Sequence, residues 1–251
     1  MRYAILSDIH GNLEALTAVL EFLASRQIDR YFCLGDTVGY GAEPVACLEQ
    51  LQRCEAVMVG GNHDLACVGK LDLEWFNETA QAALRWTRDQ LSITALDMLR
   101  RLPLITIEGP CTLVHATLRC PERFEYLVEA GQAIETMTAC RTRFCLVGHT
   151  HVPMLIDYDR ARQCLTRIVT APHDLIEITL AADKEGMRSL INPGSVGQPR
   201  DGDPRASAAI LDTERRQLSV HRVPYDIERA AHKIEEAGLP KFLSDRLRIG
   251  R

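Results

Sequence analysis

A chain of 251 residues, 46 % apolar and 25 % charged, has the composition of a globular protein and the length to bury a full core. Its net charge of −5 offers no overall attraction to nucleic acid or an anionic membrane surface. No apolar stretch reaches the length of a membrane span, and Tyr3-Ala4-Ile5-Leu6 is too short for a signal peptide, so the expected location is the cytoplasm.

In chain order, residues 3–7 form a first strand, and Gly11-Asn12 turns into a helix with Leu13, Leu16, Leu20 and Leu23 at helical spacing up to about Arg26. Residues 31–34 make a second strand that ends at Gly35-Asp36. Pro44 opens a helix to about Arg53, and residues 56–59 make a third strand that ends at Gly60-Gly61. This β-α-β-α-β succession predicts parallel strands joined by right-handed crossovers. Residues 72–101 are expected to be helical, with Trp75, Phe76, Ala80, Leu84, Leu91, Leu96 and Leu99 on the core face. A hairpin follows over residues 104–107 and 112–115 around Gly109-Pro110, then a buried strand at 144–147. Beyond Pro153, residues 154–158, 165–169, 175–180, 189–191, 206–211 and 218–223 read as an antiparallel meander. Asp226 caps a last helix carrying Ile227, Ala230, Ala231 and Ile234, stopped by Gly238 and Pro240. The expected organisation is one domain over residues 1–225 with a helical tail, 226–251, packed on it.

Five short elements carry the chemistry: Asp8-Ile9-His10, Gly35-Asp36, Gly61-Asn62-His63-Asp64, Val114-His115 and Gly148-His149-Thr150-His151. Four of them end a strand-like run, and the carboxyl ends of parallel strands lie along one edge of an α/β sheet. The elements are therefore expected to converge. In an extended segment residues i and i+2 point the same way, so Asp8 with His10, and His149 with His151, can each address one ion. Asp36 can bridge two ions by giving each an oxygen. Carboxylate, amide and imidazole donors suit hard or borderline divalent cations rather than a thiolate site. The nine cysteines contain no Cys-x-x-Cys pair and are expected to be reduced core residues. His173, His221 and His232 fall outside every motif and are expected to be surface or structural.

In this order, over positions 8 to 151, the five elements resemble those of the calcineurin-like metallophosphoesterase superfamily. The loop Asn192-Pro193-Gly194-Ser195 is similar to one in its small prokaryotic phosphodiesterase-type members. The resemblance implies an α/β fold of two facing mixed β-sheets flanked by helices, a four-layer αββα sandwich. It implies that Asp8, His10, Asp36 and His151 hold one divalent metal and that Asp36, Asn62, His115 and His149 hold the other. Manganese is the first choice, and iron, nickel or zinc are compatible. It further implies in-line attack on phosphorus by hydroxide bridging the metals, with His63, oriented by Asp64, assisting the leaving oxygen.

Serine/threonine protein phosphatases of this superfamily carry phosphate-gripping arginines where this chain has Tyr40 and Gly60. Their absence favours a phosphodiester, a small phosphate ester or nucleotide, over a phosphomonoester dianion. Tyr40, Arg200 and Arg205 are the candidate substrate contacts, Tyr40 being also expected to pack. Two alternatives are a phosphomonoesterase, with Arg200 and Arg205 replacing the missing arginines, and a non-catalytic scaffold of the same fold. Trp75, Phe76 and Trp86 are expected in the core rather than as a base-stacking platform, and nucleic acid would need a basic track that only Arg119, Arg123, Arg141 and Arg143 could supply.

Overall fold

The first strand, β1 (Arg2–Leu6), has apolar side chains on both faces, and both are buried. Tyr3 and Ile5 point into one apolar cluster with Phe32, Leu113, Phe144 and Ile191, while Ala4 and Leu6 point into another with Leu16, Leu23 and Leu48. That period of two lets one strand serve both a sheet facing it and helices behind it. The computed structural model describes residues 1–170, 176–180 and 186–251, so His173 and the expected strand residue Leu175 lie outside the described residues.

After β1 come α1 (Leu13–Ala24), β2 (Arg30–Cys33), α2 (Pro44–Arg53), β3 (Val57–Met58) and α3 (Asn62–Cys67). A 3-10 turn over Leu73–Trp75 precedes α4 (Glu78–Gln90) and α5 (Ile93–Arg101). The chain continues through β4 (Ile105–Glu108), β5 (Cys111–Val114), α6 (Ala130–Ala139), β6 (Phe144–Leu146), β7 (Met154–Asp159) and β8 (Cys164–Thr170). It ends with β9 (Ile176–Thr179), β10 (Met187–Asn192), β11 (Ala206–Asp212), β12 (Gln217–Val223), α7 (Ile227–Glu236) and α8 (Lys241–Ile249).

The strands form two six-stranded mixed sheets, in the orders β3-β2-β1-β11-β12-β9 and β4-β5-β6-β10-β7-β8. Their inner faces meet through the cluster of Tyr3, Ile5, Phe32, Phe144 and Ile191. Helices α1 and α2 cover the outside of the first sheet through Leu16, Val19, Leu48 and Leu51. Helix α6 covers the second through Ala133 and Met137 against Cys145, Ile156, Tyr158 and Leu190. This is the expected four-layer arrangement. Parallel pairing joins β1 to β2, β2 to β3 and β5 to β6, so Asp8, Asp36, Asn62, His115 and His149 all follow carboxyl ends of strands.

Four expectations need correction. The stretch 72–101 is not one helix: Asn77 Oδ1 accepts from Ala80 N–H at 2.9 Å and Ser92 Oγ from Ala95 N–H at 3.1 Å, so each restarts the helix. Trp75, left outside α4, is 68 % exposed rather than in the core. The late strands do not form a meander of their own but divide between the sheets, β11 pairing with β1 and β10 lying between β6 and β7. Finally, Gly238 and Pro240 stop α7, yet a further helix, α8, follows. Leu243 and Leu247 of α8 pack with Tyr40, Ala80, Ala83, Ala230 and Ile234. Among the described residues no helix is long and apolar enough to cross a membrane.

Gly148, between β6 and His149, sits where the loops at the ends of the two sheets come very close. A Cβ there would collide with Ser7 Oγ and lie 2.7 Å from Asp8 Oδ2. Gly148→Ala is expected to destabilise the fold by about 1–3 kcal/mol, at about 2–4 °C of Tm per kcal/mol for a chain of this size. Calorimetry in the presence of chelator measures this directly, and an unchanged Tm would mean that the strand ends yield freely.

Candidate metal centre

The residues at these strand ends have unusual backbones. Asp8, His10, Asp36, Tyr40, His149 and His151 all have positive φ, between +49° and +65°. Left-handed conformations are uncommon outside glycine and cluster at functional sites. The expectation that Asp8 and His10, or His149 and His151, project from an extended segment is therefore corrected. Their convergence comes from tight left-handed turns, each held by backbone bonds: Asp8 N–H to Gly35 O at 3.0 Å, His10 N–H to Asp36 O at 2.9 Å and Gly148 N–H to His115 O at 2.8 Å.

The turns bring two donor sets together, Asp8 with His10 and His151, and Asp36 with His115 and His149, the donor atoms of each set lying within 4.8 Å of one another. His151 Nε2 lies 3.2 Å from both Asp8 Oδ1 and His10 Nε2. His115 Nε2 lies 3.1 Å from His149 Nδ1 and 3.1 Å from Asn62 Oδ1. Asp36 Oδ2 joins the sets, 3.7 Å from His10 Nε2 and 3.4 Å from His115 Nε2. Its other oxygen accepts from His63 N–H at 2.8 Å, so one shared oxygen, rather than one oxygen for each ion, faces both sets.

The protonation pattern tests whether these residues suit cations. His10 Nδ1 faces Val38 O at 3.2 Å, His115 Nδ1 faces Leu34 O at 2.7 Å and His151 Nδ1 faces Gln198 O at 2.5 Å. A carbonyl can only accept, so each ring donates from Nδ1 and turns its Nε2 inward. Burial lowers His10 and His151, so their Nε2 lone pairs face the carboxylates, and Asp8 Oδ1 is buried without a hydrogen-bond donor. A buried acceptor left unsatisfied costs about 1–3 kcal/mol, more if charged. Divalent cations would satisfy all of these donors at once; the residues fit them.

The electrostatics divide the rings, all but His115 being pushed toward the neutral form. Burial works to raise both carboxyls, but His151 and His115 hold Asp8, and His115 and His63 hold Asp36, below the usual carboxylate range. Burial pushes His149 down to about 3 and His10 well below its ordinary value. Burial also opposes charge on His115, yet Asp36, by charge and hydrogen bond, with Asp8 behind it, raises it to about 9.

His63 lies at the edge of this cluster, and its ring also comes within 4.8 Å of donor atoms of His10 and Asp36. Its centroid is 4.4 Å from that of Tyr40, 4.8 Å from that of His10 and 5.1 Å from that of Phe76. Burial, reinforced by Arg200 against the pull of Asp36, pushes its pKa down to about 4. The expected support from Asp64 is not made: His63 Nδ1 is buried without a partner. Asp64 instead accepts from Thr37 N–H at 2.9 Å, Val38 N–H at 3.2 Å and Gly61 N–H at 3.0 Å. It pins the loop after Asp36 to the start of α3. Burial, with Asp36 nearby, raises its pKa to about 7.

The loop after β10 closes the centre from the other side. Asn192 Nδ2 donates to Gly148 O at 2.8 Å and Thr150 Oγ1 at 3.0 Å, and Ser195 Oγ donates to Asp8 O at 2.7 Å. Asn192 thus ties the turn carrying His149 to β10. Tyr40 packs among Ala80, Ala230 and Leu243 while its ring meets His10 and His63. Arg200 is brought to the site, its charge acting on His63, His151 and Tyr40, and its Nη2 donates to Gln198 Oε1 at 3.1 Å. Arg205 is instead engaged by Asp203, through Nε at 3.1 Å and Nη2 at 2.7 Å. The structure adds Arg246 of α8, half-buried, where burial and Arg200 lower its pKa to about 10 and Tyr40 and Tyr126 act on it. It also adds Tyr126, whose ring stacks on His149 at 4.0 Å and 23°. No local motif marks either residue. His221 packs on Phe22, and His232 sits on the surface beside Glu236.

Comparison with known proteins agrees with this geometry. An uncharacterized protein of Methanocaldococcus jannaschii is 40 % identical over 252 residues, covering 99 % of this chain and 98 % of that protein. A crystal structure of a metallophosphoesterase from Sphaerobacter thermophilus superposes with a TM-score of 0.86 at 41 % identity, covering 100 % of both chains. A hypothetical protein from Pyrococcus horikoshii shares the fold, with a TM-score of 0.78 at 20 % identity, over 100 % of this chain and 98 % of its own. Residues 1–216 match the family model of the calcineurin-like phosphoesterase superfamily domain, leaving β12, α7 and α8 beyond it. With its strand ends, paired donor sets and match over most of its length, this chain belongs to the calcineurin-like phosphoesterase superfamily.

Proposed function

We propose that the chain hydrolyses phosphodiesters with two divalent cations. Asp8, His10, Asp36 and His151 would hold one, and Asp36, Asn62, His115 and His149 the other. The observation that carries this reading is the single buried oxygen, Asp36 Oδ2, facing both donor sets beside His63. Manganese is our choice of ion; iron, nickel and zinc suit the same nitrogen and oxygen donors. When bound, such ions polarise phosphoryl oxygens and activate water at neutral pH.

The protein's own groups divide the remaining work. The buried carboxylates and inward lone pairs fix where charge is received. Asp64 holds the loop after Asp36 against Gly61, and so keeps Asp36 in place without touching substrate. His63, seated between Tyr40 and Phe76, is the group we assign to the leaving oxygen, as donor of a proton or hydrogen bond. The diester preference rests on what lines the site. Tyr40 is a buried aromatic, and the space beside Gly60 is filled by Leu65 and Leu102 rather than by a cation. A diester monoanion needs less compensation than a monoester dianion. One observation favours the monoester instead: the charges of Arg200 and Arg246 both act on Tyr40, whose ring meets His63.

Metal-stripped protein supplied with Mn²⁺ is expected to hydrolyse bis(4-nitrophenyl) phosphate faster than 4-nitrophenyl phosphate, with no turnover in chelator. A preference for the monoester would overturn the diester reading in favour of Arg200 and Arg246 as phosphate ligands. Two bound ions without turnover of either ester would point to the scaffold. His63→Ala is expected to keep its metal stoichiometry in calorimetric titration while kcat falls by about 10²–10⁴-fold. Loss of one bound ion would instead make His63 a ligand, and unchanged kcat would remove it from the chemistry.

A further inference from the structure

A cleft of about 200 Å³ opens from Asn62, His63 and His149, and its outer walls are the rings of Trp75, Phe76, Phe124 and Tyr126. Trp75 is 68 % exposed and Tyr126 48 % exposed, although both are large enough to drive burial elsewhere. Their placement is enforced by the fold. Asn77 caps α4 two residues beyond Trp75 and keeps it out of the helix. Phe124 sits in a left-handed conformation at φ +49°, a costly one for a bulky residue, and its ring meets His115 edge-on at 5.9 Å. Tyr126 is set by its stack on the ring of His149.

We propose that this cleft is a subsite for a planar aromatic group on the leaving side of the substrate, the chemistry of a nucleoside base, with Trp75 and Tyr126 as its stacking walls. The assignment deepens the phosphodiesterase reading and rests on it for turnover, though not for binding. Three features support it. The cleft begins at His63, the group assigned to the leaving oxygen. Its volume is below the about 300–1,000 Å³ typical of pockets for drug-sized ligands, and so suits one ring system. None of its lining residues is a carboxylate, so an anionic phosphate meets no like charge on the way in. Aromatic walls tolerate any base because every base has a π-face.

The chain has two tryptophans, and Trp86 packs partly buried against the cluster of Ala80 and Ala83, which makes the test optical. The intact chain, loaded with Zn²⁺, is titrated with adenosine 5′-monophosphate, and with glycerol 3-phosphate as the ring-free control. Adenosine monophosphate is expected to quench the emission saturably, and glycerol phosphate to leave it unchanged. The quenching should vanish in Trp75→Phe and persist in Trp86→Phe. Tyr126→Ala should weaken the nucleotide about tenfold, the scale of one lost base stack. Quenching that survives Trp75→Phe, equal quenching by glycerol phosphate, or no quenching at all would overturn the subsite. Diester turnover separates the two readings. Quenching through Trp75 without hydrolysis of any diester keeps the subsite and removes the phosphodiesterase. Hydrolysis of aryl and alkyl diesters with equal kcat/KM and no quenching keeps the phosphodiesterase and removes the subsite.

Discussion

Two carboxylates, Asp8 and Asp36, are buried within reach of the same imidazoles, and the rest of the structure is arranged to keep them ionised. An ion taken out of water costs several kcal/mol even after relaxation. Each carboxylate has one oxygen satisfied by the protein and one turned inward. Asp8 Oδ2 accepts from Ser7 Oγ at 2.7 Å and His149 N–H at 3.0 Å, and Asp36 Oδ1 accepts from His63 N–H at 2.8 Å. The inward oxygens meet rings whose outward nitrogens are fixed by the carbonyls of Val38, Leu34 and Gln198. The protein thus concentrates acceptors around one ring, His115, that holds a proton where a bound cation would take its place.

Holding that arrangement strains the backbone. Left-handed non-glycine residues cost about 1–3 kcal/mol each, Asp and Asn being the better tolerated. Six of them at the site would cost an amount comparable to the whole net stability of a domain, about 5–15 kcal/mol. The strain is offset by bonds between turns from different parts of the chain. Val196 N–H donates to Ser7 O and Gly197 N–H to Asp8 O, both at 3.0 Å, and Gly41 N–H donates to His10 O at 2.9 Å. Behind them stands the core between the sheets, where burial of each side chain such as Phe32, Phe144 or Ile191 contributes about 1.5–3 kcal/mol. The rigid sandwich is therefore a condition for the site as well as its support.

The helices beyond the superfamily domain are part of this support. Leu243 and Leu247 of α8 pack on Tyr40, whose ring in turn lies against His10 and His63, and Gly202 N–H ties the Arg200 loop to Gly250 O at 2.9 Å. Changes at the end of the chain can thus reach His63 through one packed aromatic. The same helix carries Arg246, whose charge acts on Tyr40, so residues beyond the matched domain contribute to the electrostatics beside His63.

The donor types, their order along the chain and their positions after short apolar runs were legible in the sequence, because the chemistry of a ligand belongs to the residue and period-two burial belongs to the strand. From these came the strand ends and the five elements that meet there; the flanked two-sheet sandwich and the candidate set Asp8, His10, Asp36, Asn62, His115, His149 and His151 came from the family resemblance that their order carries. What the tertiary structure alone decided concerns direction and partnership. The left-handed turns at Asp8 and His10 depend on carbonyls supplied by the loop after β2. Asp64 faces backbone amides instead of His63, Arg205 faces Asp203, and Trp75 is outside the core, each for want of space or a partner that only the folded neighbours define. Tyr126 and Arg246 reach the centre from loops and helices with no local pattern, because their positions are set by packing between segments far apart in the chain.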